Sequence, residues 1–102
     1  MIDMPESSRL RNLRISEWSL EESINFEVAV DALNQVVAQL SALIAAEREK
    51  SGPDARSVET WLSERQRIAE IRRSLRVDDP EQVRQVTEQA VTMLKTLPAV
   101  PR

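Results

Sequence analysis

Residues 20–54 read LEESINFEVAVDALNQVVAQLSALIAAEREKSGPD, and this stretch decides the fold. Within it Phe26, Leu33 and Leu40 recur every seven residues, as do Ala29, Val36 and Leu43, and Val30, Val37 and Ile44. A seven-residue spacing returns a side chain to nearly the same face of an α-helix. Three adjacent rows make a stripe wider than the seam of a two-stranded coiled coil, so this helix expects two neighbours. Glu27, Asp31, Asn34, Gln35 and Ser41 fall mainly off the stripe. The helix is expected from about Leu20 to about Lys50. Ser19 followed by Glu21 and Glu22 reads as a capping box with acidic side chains at the positive helix end, and Ser23 and Asn25 can also cap.

Moving toward the C-terminus, Ser51-Gly52-Pro53-Asp54 closes this helix and opens another. Gly52 suits a left-handed position after the helix, Pro53 stops continuation, and Asp54 or Ser57 can cap the second helix. So short a connection implies an antiparallel pair. The second helix is expected from about Asp54 to Arg76, with Trp61, Ile68 and Leu75 recurring at seven, flanked by Val58, Leu62, Ala69 and Ile71. Val77-Asp78-Asp79-Pro80-Glu81-Gln82 breaks and restarts the chain: Asp79 as N-cap, Pro80 in the first helical position, Gln82 completing a box. The third helix is expected to reach about Leu97, with Val83, Val86, Ala90, Met93, Leu94 and Leu97 inward. Pro98 and Pro101 mark a frayed tail.

The expected architecture is all-α: an antiparallel three-helix bundle over 19–97, with a long first helix, an N-terminal arm over 1–18 and a tail over 98–102. A first helix of about 31 residues spans roughly 46 Å and outruns both partners. Its overhang, around Ile24 to Val30, needs a cover: either the arm folded back or a second molecule. In the arm, Arg9, Arg11 and Arg14 alternate with Leu10, Leu13 and Ile15, and Trp18 comes next. That pattern fits a short helix or an extended arm.

Composition narrows the chemistry. The 102 residues contain no cysteine and no histidine, which excludes thiolate nucleophiles, cysteine-based zinc sites and histidine-dependent catalytic pairs. With a single glycine and no tyrosine, no catalytic, cofactor or metal site is expected. Glu21/Glu22 and Asp78/Asp79 stand at expected helix starts, where capping accounts for them. Arg65, Arg67, Arg72, Arg73 and Arg76 cluster on the second helix but are interleaved with Glu59, Glu64 and Glu70. Glu70 lies three residues from both Arg67 and Arg73, within pairing reach. With a net charge of −3 for the chain, a salt-bridged solvated face is the reading, and nucleic acid is not the expected partner. The apolar runs read as too short for a membrane span, no leader pattern opens the chain, and the cytoplasm is the expected compartment.

Asp31-Ala-Leu-Asn-Gln, Ala45-Ala-Glu-Arg-Glu, the Pro53-Asp54 break, Ser63-Glu-Arg-Gln-Arg and Arg73-Ser-Leu-Arg-Val-Asp-Asp-Pro80 resemble small helical antitoxins of toxin–antitoxin modules. They are nearest to the epsilon-type partners of zeta-type kinase toxins in size and three-helix design. The resemblance covers about half the chain and rests on helix breaks and composition. It implies a protein that binds a toxin enzyme, such as a kinase or nuclease, and blocks it with N-terminal residues.

The expected function is therefore a non-catalytic protein-binding module, an antitoxin or immunity-type inhibitor. Its contact set is Arg9, Leu10, Leu13, Arg14, Trp18 and Phe26, with apolar anchors docking and arginines meeting an acidic or phosphate-binding pocket. Trp18 also fits a staple on the start of the first helix, and Trp61 has core spacing. Two alternatives stand beside it: a self-assembling adaptor whose spare stripe pairs with its own copy as a homodimer, and a weak nucleic-acid binder through the arginines of the second helix.

Overall fold

Between Pro5 and Gly52 the sequence holds neither proline nor glycine, so nothing in that span forces a helix to stop. In the computed structural model, which describes the backbone of residues 3–101 and the side chains of residues 20–101, helix α1 runs unbroken over Asp3–Arg48, 46 residues. Pro5 falls in its first turn, where a missing N–H costs nothing. The start expected near Leu20 is corrected: Ser19 lies inside the helix. A capping box stabilises a start only where the preceding residues leave the helix, and residues 3–18 do not. The arm's backbone continues the helix axis and does not fold back over the overhang.

Two shorter helices complete the chain, α2 over Ala55–Ser74 and α3 over Pro80–Thr96. Asp54 caps α2, its carboxylate accepting from the backbone N–H of Arg56 at 3.1 Å and from the Ser57 hydroxyl at 2.9 Å. Asp79 caps α3 through the Gln82 N–H at 3.1 Å, and Pro80 takes the first position. Gln82 does not close a box on Asp79. Its amide reaches back to the end of α2 instead, accepting from Arg76 N–H at 2.8 Å and donating to Ser74 O at 3.0 Å. Those bonds satisfy backbone groups that a helix end leaves open.

The left-handed conformation expected at Gly52 is also absent, for no glycine among the described residues has positive φ. Helix α1 ends on a tightened turn, Lys50 N–H to Glu47 O at 3.2 Å, and Glu47 then holds the connection.

Both short helices pack on α1. Arg65 donates to Ser41 at 3.0 Å and Arg72 to Asn34 at 3.2 Å, so rising numbers in α2 meet falling numbers in α1. Helix α3 runs the other way: Pro80 and Val83 lie beside Asn25 and Val28, and Pro98 O accepts from Gln39 at 2.7 Å. The result is the expected up-down-up bundle.

The core lies where the three rows of α1 meet their partners. Leu33, Val36, Leu40 and Ile68 are its largest fully buried side chains, joined by Ala29, Leu75, Val83, Val86 and Ala90. Phe26, Trp61, Ile71, Met93 and Leu97 are half-buried against it. Among the described residues no buried side-chain nitrogen or oxygen lacks a partner.

The molecule measures 77 × 23 × 18 Å with a radius of gyration of 19.9 Å, against about 13 Å for a compact chain of this length. That elongation comes from α1, which at 1.5 Å per residue is about 69 Å long. Helices α2 and α3, at about 30 and 25 Å, cannot cover it.

Candidate protein interaction surface

The uncovered part of α1 is a helix that has lost its neighbours but not its apolar residues. Leu20, Ile24 and Val28 are 61, 52 and 50 % exposed. Their spacing of four places them in one row along the helix. The row ends beside α3, where Val28, Asn25, Pro80, Val83 and Thr87 line a groove of about 400 Å³. Three large aliphatic side chains exposed in succession are not scattered surface residues; contiguous apolar patches mark interaction sites.

The overhang thus differs from the one expected around Ile24 to Val30. Ala29 is fully buried and Val30 packs on the core, because α3 already begins at this level. The exposed row lies on another face of α1. Its i, i+4, i+8 spacing was visible in the sequence, but the three seven-residue rows dominated the pattern.

Of the residues expected to contact a partner, Phe26 is half-buried against the core, so part of its ring belongs to the bundle. The backbone of Arg9, Leu10, Leu13, Arg14 and Trp18 belongs to α1, and their side chains lie outside the described residues. Glu21, Asn25 and Glu27 are exposed and surround the row with carboxylates and one amide.

The arginines of α2 divide by task. Arg65 and Arg72 tie α2 to Ser41 and Asn34 of α1, and Arg67 pairs with Glu64 at 3.2 Å. Glu70 appears in none of the ion pairs among the described residues, contrary to its expected pairing with Arg67 or Arg73. Arg76 instead meets Asp78 at 3.2 Å, which holds the Asp78 carboxyl below its usual range and raises the guanidinium above its own. On α3, Arg84 pairs with Glu81 and with Glu88, chiefly through the Glu81 hydrogen bond, and its pKa is raised.

Over Leu20–Arg48 the helix is long and apolar enough to cross a membrane, with a mean hydropathy of 1.5 over its most apolar window. This corrects the expectation that every apolar run falls short of a span. Here α2 and α3 cover the apolar stripe, and Asp31, Asn34 and Gln35 face solvent along the same helix. No family model, curated protein or solved structure matches the chain.

Proposed function

We propose that this chain is a non-catalytic protein-binding module that works through the N-terminal half of α1. One observation carries the reading: Leu20, Ile24 and Val28 stand exposed in a row on a helix that extends beyond its own bundle. Burying three such side chains against a partner is worth several kcal/mol, at roughly 25 cal/mol per Å² of apolar surface. The bundle acts as the rigid base that holds this helix.

The module takes one of two forms. The antitoxin resemblance supports a cytoplasmic inhibitor that lays α1 on a toxin enzyme, a kinase or a nuclease. Along α1, the arginines Arg9, Arg11 and Arg14 followed by the carboxylates Glu17, Glu21, Glu22, Glu27 and Asp31 support self-assembly and favour it over the inhibitor form.

The test is affinity capture of the tagged full chain from its native cells, beside a Leu20→Glu/Ile24→Glu variant and a chain lacking residues 1–18. A stoichiometric enzyme captured by the wild type and lost from both variants establishes the inhibitor form. A partner captured equally by all three overturns the placement of the surface on α1.

A further inference from the structure

The charges of the overhanging helix are sorted along its length. Residues 9–14 carry Arg9, Arg11 and Arg14 and no acid, whereas residues 17–31 carry five carboxylates and no base. Laid side by side in the same direction, two copies would set arginines against arginines and carboxylates against carboxylates. Reversed, each basic segment meets an acidic one, and a two-fold axis makes the contact twice.

Apolar spacing agrees with this arrangement. Leu13 stands seven residues before Leu20 and Leu10 ten, while Ile24 and Val28 lie four and eight residues after it. From Leu10 to Ile24 the intervals are three, seven and four, those of a helix–helix seam in which Glu17 takes the place between Leu13 and Leu20. Exposed Glu27, Asp31 and Gln35 show that the side of α1 continuing from this row stays clear of α2 and α3. A second helix has room to lie there.

We propose that two copies of this chain pair antiparallel through the N-terminal halves of α1. They cross near residues 17 and 18, so that Arg14 of one copy lies beside Glu21 of the other. The inference rests on the protein-binding reading and names the occupant of the surface as a second copy. The apolar row supplies most of the attraction. Exposed ion pairs are individually weak, and the sorted charges act mainly by excluding the parallel alignment. The two bundles then stand at opposite ends of a shared helical pair.

The test is sedimentation of the full chain from about 1 to about 200 μM, a range in which a mass-action dimer changes its population. The wild type is expected to dimerise. Leu20→Glu/Ile24→Glu is expected to sediment as a monomer with its helical circular dichroism retained, because both positions are exposed. Arg14→Glu raises the dissociation constant about tenfold, and adding Glu21→Arg restores it.

Direction is read by disulfides, since the chain has no cysteine of its own. Glu17→Cys crosslinks two copies on mild oxidation and Glu27→Cys does not; a parallel pair would crosslink at both. A monomer at every concentration, or a dimer indifferent to these substitutions, overturns the inference. If a monomeric wild type still captures an enzyme through Leu20 and Ile24, the second-copy inference falls and the protein-binding reading stands.

Discussion

Glu47 Oε2 accepts the backbone N–H of Asp54 at 3.0 Å, joining the last turn of α1 to the residue that caps α2. The other carboxylate oxygen takes the Lys50 ammonium at 2.9 Å. Glu47 is the one charged side chain buried among the described residues, and it holds the turn that fixes how α2 returns along α1.

Stability should therefore fall in acid. The Asp54 N–H first, and Lys50 second, hold the Glu47 carboxyl below its ordinary value of 4.5. A carboxyl with a lowered folded pKa stabilises the fold fully above its ordinary value, and that stability is lost as pH falls through the folded value. Asp54, held down by the Ser57 hydroxyl and the Ser57 and Arg56 amides, adds to the same loss below its ordinary 3.8. Thermal melts from pH 7 to pH 2 should show a declining Tm that begins near pH 4.5. Glu47→Gln should lower Tm at pH 7 by a few degrees and flatten that decline.

Gly52 should be replaceable. A Cβ built there meets nothing within 4 Å, and its φ is not positive. Gly52→Ala is expected to stabilise the chain by about 0.4–1 kcal/mol, by reducing the freedom of the unfolded state. A left-handed turn at this position would give a loss instead, so urea denaturation of one variant decides the geometry.

Core and row should respond differently to truncation. Leu33 is 1 % exposed, and Leu33→Ala is expected to cost about 2–5 kcal/mol. Leu20→Ser, at a concentration where the chain is monomeric, should change stability by no more than about 0.5 kcal/mol. Chemical denaturation of both variants measures the contrast. A large loss for Leu20→Ser would mean that the row packs within its own chain.

The cap of α3 should be separable from its packing. Asp79→Ala removes the acceptor for the Gln82 N–H and is expected to cost about 0.5–2 kcal/mol. Amide exchange should quicken at Gln82 and Val83 while the buried middle of α3, around Ala90, stays protected.

Much of the bundle was legible because its signals are local or periodic. Asp54 and Asp79 cap the helices they were expected to cap, and the rows on α1 predicted most of its buried side, with Phe26, Val30 and Val37 only half-buried and Ala32 buried outside the rows. Ser19 misled because a capping box is also an ordinary helical sequence, and no breaker stands near it. Gln82 misled because an amide three residues past a cap can turn either way, and the open end of α2 lay within reach. Glu47 gave no signal: its partner is the backbone N–H of Asp54, seven residues on, across a turn whose path the sequence does not state.

By itself, then, the sequence determined three helices, their breaks and the side of α1 that would be buried, since periodicity and caps act within a few residues. Tertiary structure alone decided where cover on α1 ends. That depends on the length and placement of α2 and α3 against it, and it leaves Leu20, Ile24 and Val28 in solvent. A periodic pattern records which face of a helix is apolar; whether a neighbour reaches that face is settled only when the helices are packed.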